Sequence, residues 1–188
     1  MPNNKPITVY VVMSQTGTVF SRLLKVITQD PYNHVSISLD SELNLMYSFA
    51  RRKIHYPWIA GFIEETPKGG MFERKPKTEC SVYALSVTKE QYHLLLENLS
   101  PFLLDPERYR YNFLGLPFIW MGVPFQRKYH YVCSQFVALL LQESGIVDNN
   151  RPSSLMRPYD FAKIETAELI YQGKLKDYCS DTKTCHSF

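Results

Sequence analysis

The chain has 188 residues, of which 45% are hydrophobic and 21% are charged, and its formal net charge is +3. This length and composition predict one globular domain with a sizeable core, and they exclude a largely disordered chain. So small a net charge does not favour nucleic-acid binding, and we interpret the basic clusters at residues 51–53 and 74–77 as solvated surface.

Neither a signal peptide nor a membrane span is expected from the sequence. The apolar run near the N-terminus is too short for a signal peptide, and no stretch approaches about 18 apolar residues. We therefore expect a cytoplasmic protein without an integral membrane segment. The four cysteines, Cys80, Cys133, Cys179 and Cys185, are spaced too irregularly for a disulfide framework. The polar tail from about residue 177 lacks the ligand spacing of a zinc site, so we expect no metal and no cofactor.

The first part of the chain predicts a strand, a helix and a hairpin. The run ITVYVVMS (7–14) predicts a buried strand, and TGTVFSRLLKVITQ (16–29) predicts a helix that begins near Thr18. The stretch HVSISLD (34–40) then alternates strictly between polar and apolar residues, and LMYSF (45–49) returns after a polar turn. We expect a hairpin with one apolar face and one polar face.

Residues 51–77 contain prolines and a glycine pair, so we expect a long excursion beside the sheet, of the kind that often forms a lid. A further strand is predicted for CSVYALSV (80–87), followed by a helix that Thr88 and Gln91 begin with a capping box. The aromatic segment FLGLPFIWMGVPF (113–125) is either an exposed apolar anchor or the wall of a cleft, and we favour the wall.

The end of the chain predicts two helices and a strand. A helix runs from Cys133 to a stop at Gly145, and a short helix and a last strand follow in RPYDFAKI (157–164) and AELIYQGKL (167–175). No internal repeat divides the chain.

The stretch YVCSQFVALLLQ (131–142) contains Cys133, the cysteine that is a candidate for catalysis. Its helix is apolar nearly all round and is therefore expected to be buried, with Cys133 in its first turn. A helix N-terminus and a nearby imidazolium both stabilise a thiolate, and unpaired backbone N–H groups there can bind an oxyanion. The stretch alone leaves another interpretation open, because cysteine also serves as a small buried hydrophobe.

Five histidines are candidates for the partner of Cys133. His34 is the best placed, because it begins a strand whose opposite face is apolar and whose own face continues as Ser36 and Ser38. Ser48 has the parity of the same polar face on the returning strand, so its hydroxyl is the candidate group that orients the imidazole. The remaining histidines lie in less favourable positions: His55, His93, His130 and His186.

At YNHVSISLD, LMYSF and YVCSQFVALLL the sequence resembles the circularly permuted branch of the NlpC-type papain-like cysteine peptidase superfamily. That branch includes the YiiX-like proteins and, more distantly, the lecithin retinol acyltransferase-like enzymes, and in it the histidine strand precedes the cysteine helix. The similar layout covers roughly residues 8–145. The resemblance implies an α+β fold in which an antiparallel sheet or partial barrel packs on a central helix that starts at Cys133. It also implies a single papain-like domain over residues 1–188.

The resemblance implies that Cys133 is the nucleophile, His34 the general base and Ser48 the third polar member. Relatives tend to have histidine, glutamate or asparagine in place of Ser48, so Glu42 or Asn44 in the hairpin turn are possible substitutes. Tyr131 is expected to line the cleft, and Ser36 is a candidate substrate contact beside the histidine.

The implied activity is that of a thiol hydrolase, a cysteine peptidase or amidase, that cleaves an amide bond through a thioester intermediate. A small peptide or a cell-wall-derived fragment is the expected substrate. Two alternatives stay open: a lipid acyltransferase or thiol esterase, and a non-catalytic binding module with a weakened triad. The sequence predicts no oligomeric state.

Overall fold

The structure is a computed structural model that describes residues 7–16, 30–53, 56–148 and 151–178. The eight strands are β1 (Ile7–Gln15), β2 (His34–Ser38), β3 (Met46–Lys53), β4 (Tyr56–Glu65), β5 (Glu79–Val87), β6 (Arg110–Tyr111), β7 (His130–Tyr131) and β8 (Ala167–Lys174). The helices are α1 (Gly70–Arg74), α2 (Lys89–Leu104), α3 (Gly115–Met121) and α4 (Cys133–Glu143). Three-residue or six-residue 3-10 turns occupy Pro106–Arg108, Ser153–Leu155 and Pro158–Lys163. The helix predicted from Thr18 lies outside the described residues.

The strands form one open sheet in the order β7-β6-β4-β3-β2-β1-β5-β8. Neighbouring strands are antiparallel except β6 and β7, which are parallel. Because β7 and β8 remain at opposite edges, the sheet does not close into a barrel. The predicted α+β class is confirmed in the form of a mostly antiparallel open sheet with helices.

The main core lies between the sheet and α4. Nearly every residue from Cys133 to Leu141 is buried, as the apolar character of this helix predicts. The helix packs on β2 and β3 on one side and on α2 on another. Phe136, Phe49, Phe62 and Phe102 form a group of tilted and edge-on rings in this layer. The start of α4 is therefore held firmly against the centre of the sheet.

The predicted polar face of the β2–β3 hairpin is not exposed. Ser36, Ser38 and Ser48 are all buried, because a second, smaller core covers this face. Its members come from the sheet, from α1 and from the end of the described chain: Val12, Leu43, Met46, Phe72, Cys80, Val82, Leu175 and Tyr178. Serines buried in this way must find hydrogen-bond partners within the protein.

The prediction of an excursion over residues 51–77 is largely wrong, because β4 occupies ten of these residues inside the sheet, between β6 and β3. Gly61 lies where the backbone of Tyr109 crosses β4, and an added Cβ would clash with the Tyr109 carbonyl oxygen. The main-chain N–H of Phe62 donates to that carbonyl at 3.3 Å. The part of this region that does leave the sheet is residues 66–78, with α1 in it.

Several local predictions are confirmed. Both hydrogen bonds of the capping box between Thr88 and Gln91 are present at the start of α2. The helix that begins at Cys133 ends at Glu143, just before Gly145, whose φ of 63° is left-handed. The last predicted strand is β8.

The close approach at Gly61 provides a test of how β4 and β6 are joined. We expect Gly61→Ala to lower the free energy of unfolding by about 1–3 kcal/mol, because the new methyl group forces the two strands apart. Urea denaturation measures this. Gly173→Ala in β8 is the matched control, since its Cβ would meet the end of the flexible Tyr171 side chain, and it should cost less than about 1 kcal/mol. Equal losses in the two variants would contradict the packing described here.

Candidate active site

Cys133 is the first residue of α4 and borders a cavity of about 300 Å³. Its side chain is buried, and the residue is 5% exposed. Phe136 is the first residue whose N–H bonds back into the helix, to the carbonyl oxygen of Val132 at 3.0 Å. The N–H groups of the first turn before it have no partner within the helix. A thiol and unpaired N–H donors therefore share one end of a rigid helix.

His34 lines the same cavity, as the sequence predicted for the partner of Cys133. Its Nε2 lies 2.8 Å from Oε1 of Glu65, and the two side chains are only 13% and 11% exposed. Since Nε2 is engaged by this carboxylate, Nδ1 is the ring nitrogen left for the thiol. The remaining described histidines lie elsewhere: His93 is exposed on α2, and Nδ1 of His130 bonds the carbonyl of Lys128 at 2.8 Å. His55 and His186 fall outside the described residues.

The charge of Glu65 decides the protonation state of His34. Burial by itself disfavours the imidazolium and lowers the pKa of His34, but the Glu65 carboxylate and hydrogen bonding with Glu65 and Cys133 outweigh it. Together they raise the pKa of His34 to about 10. At neutral pH the ring is therefore an imidazolium beside the Cys133 thiol.

Ser36 does not face the cavity as a substrate contact. Its hydroxyl is buried and donates to Oε1 of Glu65, and its Oγ lies 3.3 Å from Nε2 of His34. The serine therefore helps to hold the carboxylate and the imidazole together. This corrects the sequence prediction, since Ser36 belongs to the hydrogen-bond network behind the histidine.

Ser48 does not orient His34. Its hydroxyl donates to the main-chain carbonyl of Val35 at 2.6 Å. The ladder between β2 and β3 contains the pairs Ile37↔Tyr47 and Ser38↔Met46 and does not continue towards His34. Ser48 therefore satisfies a buried carbonyl where the two strands diverge. The structure contradicts its assignment as the third polar member.

Glu42 and Asn44 do not replace Ser48 either. The main-chain N–H groups of both residues donate to Oδ1 of Asp40 at 3.0 Å, within an exposed turn. They stabilise the reversal of the hairpin and lie away from the histidine.

Glu65 is the acceptor that sequence reasoning missed. It is the last residue of β4, and β4 was taken for part of an excursion. In the sheet, Glu65 pairs with Met46 of β3, and its side chain extends past that strand to His34 on β2. The short apolar run WIAGFI (58–63) was the available sequence signal for a strand.

The tyrosine beside the thiol is Tyr111 and not Tyr131. Burial, followed by the charge of Cys133 and a hydrogen bond with it, raises the pKa of Tyr111 well above its ordinary value, so the phenol stays protonated. Tyr111 lines the cavity, whereas Tyr131 packs against Phe49 and Phe102 with ring centroids 5.4 Å and 5.5 Å apart. The two tyrosines are partners in the parallel β6–β7 pair.

The rest of the cavity wall is mainly apolar. Phe72 of α1 lies 6.4 Å from the His34 ring, measured between ring centroids, and Met71, Phe49 and Phe113 add further apolar surface. Arg51 and Arg52 bring positive charges to the wall, and Glu64 and Glu65 bring carboxylates. The cavity is therefore suited to an organic substrate with an apolar part and a polar or charged group.

The described residues contain no group of three or more histidine, cysteine, aspartate or glutamate side chains that could hold a metal ion. Cys179, Cys185 and His186 of the tail lie outside them. Over the same described part of the chain, the helices are all too short or too polar to cross a bilayer.

Separate substitutions of Glu65 and Ser48, the two candidates for orienting His34, test the hydrogen-bond network. We expect Glu65→Gln to lower the pKa of His34 well below about 10, because the imidazolium loses its carboxylate while it stays buried. Ser48→Ala should leave that pKa unchanged while it reduces the free energy of unfolding by about 1–2 kcal/mol. Titration of the His34 ring by NMR, beside urea denaturation, measures both. A pKa that falls in Ser48→Ala and not in Glu65→Gln would contradict this assignment.

A scan against models of known protein families, a search of curated proteins and a search of solved structures each found no match for this chain.

Proposed function

We propose that this chain is a thiol hydrolase in which Cys133 is the nucleophile, His34 the proton carrier and Glu65 the residue that orients His34. The observation that carries the proposal is the convergence of a helix-terminal thiol, a buried imidazolium and a carboxylate on one cavity. A nucleophile, a base beside it and a group that orients the base are the minimum that covalent acyl transfer requires.

The proposed reaction begins with the Cys133 thiolate attacking the carbonyl carbon of an amide. The C–N bond breaks, and the His34 imidazolium gives its proton to the departing amine, which leaves an acyl thioester on Cys133. Neutral His34 then takes a proton from water as the water attacks the thioester. The carboxylic acid departs, and the thiolate and imidazolium are restored.

Two kinds of donor are placed to bind the oxyanion of the tetrahedral intermediate. The first-turn N–H groups of α4 are unpaired within the helix, and the protonated hydroxyl of Tyr111 hydrogen-bonds at the thiol. Donors fixed in this way before the reaction need no reorganisation as charge develops on the oxygen.

The order of the elements supports a circularly permuted papain-like arrangement. The strand that begins at His34 precedes the helix that begins at Cys133, and this helix packs on that strand. A non-catalytic module was an alternative because Ser48 is a weak partner for the histidine. Glu65 supplies a strong acceptor instead. We therefore favour a catalytic protein over a binding module.

The substrate class that we propose is a small peptide or a cell-wall-derived fragment. A cavity of about 300 Å³ accommodates only a few residues of an extended chain. The positive charge of Arg51 in its wall suits a substrate carboxylate.

A second candidate is acyl transfer from, or hydrolysis of, a lipid ester or thioester. The segment 113–125 favours it, because most of this segment is exposed and does not form the cleft wall that its sequence suggested. Phe113 alone of this segment lines the cavity. The same thioester intermediate serves both candidates, so the acyl group and its acceptor distinguish them.

Selective alkylation tests the nucleophile. We expect iodoacetamide at about pH 6 to label Cys133 at least tenfold faster than Cys179 or Cys185, because the His34 imidazolium lies beside the Cys133 thiol. Peptide mass mapping at timed intervals measures the rates. Cys80, fully buried in the second core, is the internal reference for an inert thiol. In His34→Gln the advantage of Cys133 should disappear, and labelling of Cys133 at the rate of the tail cysteines in the native chain would refute the proposal.

The variant Tyr111→Phe tests the oxyanion donor separately from the nucleophile. Alkylation develops no oxyanion, so its rate at Cys133 should change by less than about threefold. Hydrolysis of p-nitrophenyl acetate passes through an oxyanion and should slow by about a hundredfold. Tyr131→Phe, which removes a hydroxyl outside the cavity, is the matched control and should leave both rates unchanged. If Tyr111→Phe slowed alkylation and ester hydrolysis by the same factor, Tyr111 would act on the thiol and not on the oxyanion.

A further inference from the structure

Residues 113–125 form a protrusion with an apolar outer surface, which we call the apolar protrusion. Its large exposed side chains include Trp120 and Leu114, which are 60% and 59% exposed, with Met121 and Val123 beside them. Gly115 is the only buried residue of α3, and the helix rests on the 3-10 turn Ser153–Leu155. Contiguous apolar surface of this kind is uncommon on a protein that has no partner there.

The apolar protrusion has a defined shape. Gly122, at φ 70°, ends α3 in the left-handed region and turns the chain back. The segment after this turn places Phe125 on Phe118, with ring centroids 4.3 Å apart and ring planes nearly parallel. The outward direction of Trp120 and Leu114 is therefore a feature of the folded protein.

The charged residues nearest to the apolar protrusion in sequence are all cationic. Residues 108–142 contain no aspartate or glutamate, and their cationic side chains are Arg108, Arg110, Arg127 and Lys128, all exposed. Arg108 and Lys128 lie over the ring of Tyr129, at 3.9 Å and 5.1 Å from its centroid. Exposed cationic side chains thus flank the apolar protrusion on both sides in the sequence.

We propose that the apolar protrusion docks on the surface of an anionic lipid bilayer. Tryptophan and aliphatic side chains enter the boundary between headgroups and acyl chains, and adjacent arginine and lysine pair with the lipid phosphates. The absence of acidic residues from residues 108–142 avoids repulsion by an anionic surface.

Docking would also orient the cavity. Phe113 belongs to the apolar protrusion and lines the cavity, and Tyr111 beside the thiol precedes it by two residues. Docking would therefore bring the Phe113 side of the cavity towards the bilayer. The docking proposal itself stands on the exposed surface and its charge, and it does not depend on catalysis.

Intrinsic fluorescence gives a direct test, because the chain has two tryptophans, Trp58 and Trp120. Trp58→Phe leaves Trp120 as the single reporter on the apolar protrusion. With vesicles of phosphatidylcholine and phosphatidylglycerol, we expect the Trp120 emission to shift to shorter wavelength and the full chain to sediment with the vesicles. Vesicles of phosphatidylcholine alone should bind at least tenfold less protein.

Two sets of variants identify the surface that binds. Leu114→Ser with Trp120→Ser should lower the partition coefficient by at least about tenfold, whereas Leu104→Ser, a control at a more exposed leucine on α2, should leave it unchanged. Arg127→Gln with Lys128→Gln should lower binding to the anionic vesicles alone. Circular dichroism establishes that each variant is folded.

Absence of binding to the anionic vesicles would overturn the proposal. So would undiminished binding by the Leu114 and Trp120 variant, or loss of binding on Trp58→Ser instead. A concentration-dependent dimer that dissociates in the Leu114 and Trp120 variant, with no vesicle binding, would assign the surface to a second copy of the chain and likewise overturn it.

Discussion

The buried ion pair between His34 and Glu65 is the interaction on which the rest of the site depends. It joins β2 to β4 across the intervening strand β3, and it occupies one ring nitrogen so that the other is left for Cys133. A buried pair of this kind is stable only when its remaining hydrogen-bonding capacity is satisfied, which Ser36 does for the carboxylate. Removal of either partner would leave a buried charge without compensation. The surrounding core therefore has to fix both residues at once.

Two features of the sheet make that arrangement possible. The β2–β3 ladder stops short of His34, which opens space beside the histidine, and Ser48 satisfies the carbonyl of Val35 that the opening would otherwise leave unpaired. On the other side, α4 is buried so completely that Cys133 has a fixed position against the sheet. Phe72 on α1 adds an apolar ring beside the imidazole, with ring centroids 6.4 Å apart. The charged site and the apolar protrusion meet at Phe113, so that the cavity opens beside apolar surface.

The sequence predicted the elements that local patterns determine. Alternation identified β2, the apolar run identified α4, and the capping box identified the start of α2, so Cys133 and His34 were both placed where one cavity contains them. The third residue was beyond such reasoning, because Glu65 reaches His34 through the pairing of β4 with β3, and the prolines and the glycine pair of residues 51–77 obscured that strand. The sequence placed Ser48 on the correct face of the hairpin. No local pattern, however, indicates where the pairing of β2 with β3 ends. Tyr131 was chosen for its closeness in sequence to Cys133, whereas its neighbour in the β6–β7 pair, Tyr111, reaches the thiol.

The most direct measurement of the central claim is to trap the acyl-enzyme. The full chain is mixed with p-nitrophenyl acetate, quenched in acid within the first turnover and digested, and the position of the acetyl group is read by mass spectrometry. A working Cys133, His34 and Glu65 network predicts a transient acetyl thioester on Cys133 that decays as acetate appears, with far less acetylation of Cys179 and Cys185. Acetylation spread evenly over the cysteines and lysines, with no excess at Cys133 at any time, would contradict it.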